Sequence, residues 1–305
     1  MNTRARTKRQ RRLTFPSKVV GTAILAFAGG ISCGHLTDPP LQVGAQPLIP
    51  PPVYARWWSM VESCSGVSAS LDAIQWRAAQ GPLINPENNA ESVTGYWSLA
   101  SNRIVLDFND TINGSVVRHE MLHAFVRVSG HPRSAFLENC GGIVSCGTAC
   151  ISDAGPAPTP DASIRRVHPS ELEVTSDVFP QTPSAATDGG LATFTVAAHN
   201  PLPYPIVVLL APGGIARTFH YDMRDATGGG PSSDDYALDP SVTFFKAGET
   251  KYDVFDFFVL PPGSPPFTRV SGLGDNGIAL QTGSYIFRAD YAGQAAPDRS
   301  VILGP

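Results

Sequence analysis

The stretch that most constrains this chain is Val117–Pro132, which reads V-R-H-E-M-L-H-A-F-V-R-V-S-G-H-P. Val117, Met121, Leu122, Phe125 and Val126 recur at three- and four-residue steps, the apolar stripe of an amphipathic helix. Gly130 supplies a C-terminal stop, with Pro132 just beyond it. On such a helix His119 and His123, four apart, share one face with Cβ atoms about 5–6 Å apart. Two imidazoles at that separation suit one tetrahedral metal ion, and Glu120 follows the first of them directly.

That pattern, H-E-x-x-H on a helix, resembles the motif of the zincins, the zinc metallopeptidases. The resemblance implies Zn2+ held by His119 and His123, with Glu120 as catalytic base for a zinc-activated water attacking a peptide bond. It covers Tyr54 to about Ser152. Catalytic zinc takes a third protein ligand. The metzincin pattern places a histidine six residues after the second one, where this chain has Ser129; the next histidine is His131. A gluzincin-like arrangement would use a later glutamate, and Glu138 is the one close behind. His131 is the expected ligand, after one more helical turn and a reversal at Ser129-Gly130.

The motif sits in an ordered local pattern. Tyr54–Ser63, with Trp57, Trp58, Met60 and Val61, reads as a short amphipathic helix whose tryptophans are core, ending at Cys64. Ala73–Ala79 reads as a strand, Gly81–Ser92 as loop, and Gly95–Leu99 with Arg103–Phe108 as a hairpin. The resemblance implies that Arg103–Phe108 is an edge strand offering its backbone to an extended substrate.

Five cysteines are present. Cys33 follows seven Lys or Arg and the apolar run Val19–Ile31, too short to span a bilayer but suited to an export signal. The segment resembles a bacterial lipoprotein signal, which implies lipidation of Cys33, attachment to a membrane, and a place in the cell envelope; plain secretion is the alternative. Arg11-Arg12 also resembles a twin-arginine signal. Cys64, Cys140, Cys146 and Cys150 then form an even set suited to two disulfides in an oxidising compartment. Three connectivities are open. One of them, Cys64–Cys140 with Cys146–Cys150, would tie the first helix to the segment behind the metal motif.

Beyond the proline-rich run Ser152–Ser163 the character changes. Leu191–Ala198, Ile206–Leu210, Thr218–Asp222, Val242–Phe245, Tyr252–Leu260 and Ser284–Tyr291 are short apolar or alternating runs broken by Gly, Pro, Asn and Asp. That spacing predicts an all-β sandwich. Segments from Phe194, Phe245 and Gly283 resemble bacterial immunoglobulin-like domains, including BsuPI-type inhibitor domains. His199 and His220 read as structural, and Asp234-Asp235 as a solvated loop.

The expected organisation is therefore α+β: an export signal at 1–33, a linker at 34–53, a zincin-like domain at 54–152, a second linker at 153–165, and an immunoglobulin-like sandwich at 166–305. Of the 22 Lys and Arg, seven precede Cys33, leaving 15 against 26 Asp and Glu. A body that acidic, with no basic stripe, argues against nucleic acid as a partner. The partner expected instead is a peptide or protein substrate. A rival from another class is a surface-anchored binding protein, with a zinc-stabilised first domain and a ligand-binding sandwich.

Overall fold

The Trp-rich segment forms a helix for the reason its periodicity gives. In the computed structural model, α1 (Val53–Ser65) buries Val53, Tyr54, Trp57, Trp58, Met60 and Val61. It packs on α2 (Gly114–Val126), the motif helix, with the Trp58 and Phe125 rings 4.4 Å apart. The structure describes residues 41–84, 92–144, 146, 148–155, 160–186, 190–210, 217–236, 243–263, 268–269 and 278–305. The export signal and Cys33 lie outside the described residues. Among the described residues no helix is long and apolar enough to cross a membrane.

Beside the helices lies a sheet of β1 (Gln46–Pro47), β2 (Gln75–Ala79), β5 (Gly95–Ser98) and β6 (Arg103–Asp107), in the order β1-β2-β6-β5. A separate pair, β3 (Leu83–Ile84) and β4 (Ser92–Val93), overlaps the stretch Gly81–Ser92 expected to be loop. The expected hairpin is present as β5 against β6, Gly95 opposite Leu106. The expected edge strand is not at the edge, however. β6 pairs in parallel with β2 on one side and antiparallel with β5 on the other. Its sequence explains the difference. Ile104 and Leu106 face the core beneath the helices, while Val105 faces a second cluster with Ala79, Leu83 and Tyr96. A strand apolar on both faces belongs inside a sheet. Among the described residues the outer strands are β5, next to β6, and β1 at the far side.

Among the described residues the second half forms two facing five-stranded sheets and a smaller three-stranded one. Its strands begin with β7 (Arg165–Val167), β8 (Glu173–Phe179), β9 (Leu191–His199), β10 (Ile206–Val208), β11 (Arg217–Asp225) and β12 (Ser232–Tyr236). They continue with β13 (Phe244–Phe245), β14 (Thr250–Leu260), β15 (Thr268–Arg269) and β16 (Ile278–Gln281). The last are β17 (Gly283–Tyr291), β18 (Gln294–Ala295) and β19 (Arg299–Leu303). One facing sheet runs β15-β16-β14-β9-β8; the other runs β12-β11-β17-β18, with β19 also on β17; the smaller sheet is β13-β10-β7. Phe194 meets Phe287 at 4.8 Å and Phe257 meets Phe287 at 5.6 Å between the sheets. The chain is thus α+β with β-sandwich parts. Strands β8 and β19 carry the inward residues Val174, Val178, Val301 and Leu303, and lie outside the runs expected from sequence.

The two halves share their packing within one unit, Thr37–Pro305. β14 shows how. Phe255, Phe257 and Val259 enter the sandwich core, whereas Val254 enters the core built around α1 and α2, joined there by Leu191 of β9. Alternate residues of one strand thus serve two cores, as period-2 geometry allows. Gly142 (φ 87°) lies so close to β14 that a Cβ there would stand 1.8 Å from the Tyr252 carbonyl oxygen.

Two disulfides form, Cys64–Cys140 and Cys146–Cys150. The first joins α1 to the segment after the motif, across a sequence separation of 76. Closing a loop that long removes unfolded-chain entropy worth about 4 kcal/mol. Replacing Cys64 and Cys140 together by Ala should lower the unfolding free energy by at least that order, measured by denaturant titration. An unchanged midpoint would show that the bridge does not hold α1 in place.

Candidate metal centre

α2 ends earlier than its sequence suggests. Its C-terminal residue is Val126, and Arg127 takes the left-handed conformation (φ 56°) rather than Gly130. Two contacts account for the early stop. The Arg127 guanidinium lies 6.0 Å from the Trp97 ring centroid. The Val128 carbonyl, turned back by the reversal, lies 2.8 Å from His123 Nδ1. A longer helix would carry that carbonyl away.

The reversal brings three imidazoles together. His119 Nε2 lies 3.2 Å from His123 Nε2 and 3.2 Å from His131 Nε2. The outer nitrogens are engaged separately, His123 Nδ1 with the Val128 carbonyl and His131 Nδ1 with Asp153 Oδ2 at 2.9 Å. Donating Nδ1–H to those oxygens leaves each Nε2 lone pair free for a metal. The Phe136 ring lies 4.7–5.2 Å from all three imidazoles and backs the cluster. His123 is buried, and burial holds its imidazole down at about 4, with the Val128 bond opposing and His131 adding to the effect. It is therefore neutral at neutral pH, as a ligand must be.

The two histidine pairs stand at the spacing of a tetrahedral metal site. Two nitrogens each about 2.05 Å from a tetrahedral metal stand about 3.3 Å apart, against the 3.2 Å observed for both pairs. His119 and His131 remain partly exposed, so the cluster is open to solvent on their side. Glu138, the other expected third ligand, pairs instead with Arg133 Nε at 3.5 Å. Arg118 points away from the cluster and donates from Nε to the Ile143 carbonyl and from Nη1 to Asp256 Oδ2.

Glu120 lies between α2 and β5. It is 6% exposed, and burial pushes its carboxyl up to about 8, opposed by the backbone N–H of Trp97. Asp107 N–H donates to the Thr94 carbonyl, which makes Thr94 and Asp107 a hydrogen-bonded pair. By antiparallel alternation the backbone groups of Gly95 and Trp97 then face away from β6. Glu120 meets that outer edge. A Cβ on Gly95 would stand 3.0 Å from Glu120 Cγ and 3.1 Å from Leu106 Cδ2, so a residue without a side chain is needed beside the carboxylate.

Several contributors carry no sequence signal of their own. Asp153 and Cys150 lie three apart on the short helix α3 (Thr148–Ala154); the sequence marks Cys150 only as a disulfide candidate and places Asp153 in a linker. Cys150 Sγ lies within 4.8 Å of ring nitrogens of both His119 and His131. Gly95, Trp97 and Phe136 likewise reveal their roles only through distance. His199, by contrast, bonds Thr250 Oγ1 across β9 and β14, a structural role.

No family model matches the chain, and no curated protein matches it significantly. Among solved structures it is similar to the alkylpurine DNA glycosylase AlkC of Pseudomonas fluorescens bound to DNA containing an abasic-site analogue. That match has 10% identity over 45% of this chain and 31% of the other, with a TM-score of 0.28. It is also similar to a β-glucosidase of Listeria innocua in complex with glucose, at 11% identity over 44% and 16% of the two chains, TM-score 0.24. The chain spans less than a third of the length of either protein.

Proposed function

We propose that this chain is an exported zinc-dependent metallopeptidase that hydrolyses peptide bonds with Glu120 as general base. The observation that carries this reading is that His119 Nε2 stands 3.2 Å from the Nε2 atoms of both His123 and His131, with the buried Glu120 following His119 on α2. His119, His123 and His131 would hold the ion, each through Nε2. The ion, when bound, would polarise the scissile carbonyl and lower the pKa of a water.

The chain's own groups supply the rest. The Val128 carbonyl fixes the ring of His123, and the Asp153 carboxylate fixes that of His131, which sets their tautomers and sharpens the donor geometry. Glu120 accepts a proton from the attacking water and delivers it to the leaving amine. A divalent cation nearby would draw its pKa down from the raised value, towards the range where it can do both at neutral pH. Beside the Trp97 N–H that Glu120 takes, the rest of the outward backbone of β5 suits an extended peptide added as a strand. Residues 1–33 fit delivery outside the cytoplasm, with Cys33 as the lipid-bearing residue and a membrane as its partner. Four bridged cysteines agree with an oxidising compartment.

The test is elemental analysis of the purified chain, with hydrolysis of an unfolded protein measured alongside. One zinc per chain, chelator-sensitive hydrolysis, and at least tenfold weaker zinc retention in His131→Ala with Glu138→Ala unaffected are expected. A metal-free chain after refolding with zinc would overturn the reading.

A further inference from the structure

The chain holds two disulfides of very different reach. Cys64–Cys140 spans a separation of 76, whereas Cys146–Cys150 spans 4 and has little unfolded-chain entropy to remove. The short bridge instead lies against the metal cluster. Cys150 is 2% exposed, and its Sγ stands within 4.8 Å of ring nitrogens of His119 and His131. Cys146, the other end, is partly exposed. A sulfur and a nitrogen bound to one tetrahedral zinc stand about 3.6 Å apart. The bridged sulfur therefore stands at most about 1.2 Å further from those nitrogens than a sulfur sharing one zinc ion with them would, and its bond to Cys146 holds it there. α3, which carries Cys150, also carries Asp153 on the same face, and Asp153 is bonded to His131. The helix that bears the sulfur is thus already tied to the cluster.

Resting on the three-histidine reading of the site, we propose that the Cys146–Cys150 disulfide is a redox gate, which keeps the fourth metal position open when oxidised and lets Cys150 fill it when reduced. The reductant is a dithiol. One of its thiolates attacks the more accessible Cys146 Sγ, the S–S bond breaks, and Cys150 leaves as a thiolate. The second thiol of the reductant then displaces Cys146, which departs as a thiol, and the reductant ends as a disulfide, having given up two electrons. The freed Cys150 thiolate sits beside the cation and takes the position that water needs. Three histidines and a thiolate make a closed site of the structural kind, three histidines alone an open one. In a reducing compartment the chain would be latent. Oxidation would open it.

Cobalt(II) in place of zinc reports a thiolate ligand directly, through a sulfur-to-metal charge-transfer band in the near ultraviolet. Metal-free full-length chain is titrated with cobalt(II) as wild type, oxidised and after treatment with dithiothreitol, and as Cys146→Ser and Cys150→Ser. The band should be absent from the oxidised wild type, appear on reduction, be present in Cys146→Ser without any reductant, and be absent from Cys150→Ser in both states. Hydrolysis should be lost wherever the band is present. A Cys146→Ser protein that binds cobalt with no such band overturns the gate while leaving the three-histidine site standing. Failure of the oxidised wild type to bind cobalt at all overturns both together.

Discussion

Glu120→Gln should leave one zinc bound per chain and lower hydrolysis of an unfolded protein by about 10²–10⁴-fold, the usual contribution of a positioned general base. The substitution is chosen for what it keeps. Gln retains the length of the side chain, an oxygen that can accept from the Trp97 N–H, and the packing against Gly95. It removes only the ability to take a proton. Burial already pushes the Glu120 carboxyl up to about 8, so a neutral amide there should not destabilise the metal-free fold. Zinc content, thermal unfolding and activity measured on the same preparation separate the possibilities. Activity within tenfold of wild type, with zinc retained, would remove Glu120 from the chemistry. Lost activity with lost zinc would instead assign it to holding α2 and the cluster in shape.

Sequence periodicity and motif spacing made α1, α2, the β5–β6 hairpin and most of the long sandwich strands legible. Each buries one face along a regular stripe, and a regular stripe survives translation into letters. His119, Glu120 and His123 were legible for the same reason, since one helix fixes their separations. The reversal after α2 was not. Gly130 reads as the stop, but the chain turns at Arg127, where a hydrogen bond from His123 to the Val128 carbonyl and the approach of the guanidinium to the Trp97 ring offset the ordinary reluctance of arginine to adopt positive φ. The edge strand was misplaced because the apolar run in β6 says only that both its faces are covered, and the pairing partner is decided by β2, far away in sequence. Asp153 and Cys150 reach the cluster through tertiary packing of α3, and nothing in a proline-flanked run of small residues foretells that.

Asp256→Ala should cost about 3–5 kcal/mol of unfolding free energy, the range for orphaning one half of a buried ion pair. The size follows from what surrounds it. Arg118 Nη1 meets Asp256 Oδ2 at 2.9 Å, with both side chains nearly closed to solvent. Thr193 Oγ1 donates to Asp256 Oδ1, and Trp57 Nε1 donates to Thr193 Oγ1. Arg118 also lies 5.5 Å over the Trp57 ring. Four residues from α1, α2, β9 and β14 are therefore joined in one buried network, and without Asp256 the guanidinium keeps its charge and loses its partner. Because apolar replacement of a whole pair is often nearly neutral, Arg118→Met combined with Asp256→Ala should be less destabilised than Asp256→Ala alone. Denaturant titration of the three variants reads this directly. Additive losses would mean the two residues act independently. The network also bears on what the sandwich is for. Arg118 adjoins His119, so the sheet that holds Arg118 steadies the first of the proposed metal ligands. An inhibitory cover could be removed with a gain in activity. Here, deleting Ile164–Pro305 would uncover the core that Leu191 and Val254 complete and strand Arg118, so the shortened chain should lose both solubility and zinc. A soluble, more active shortened chain would refute this account of the second half as part of the scaffold.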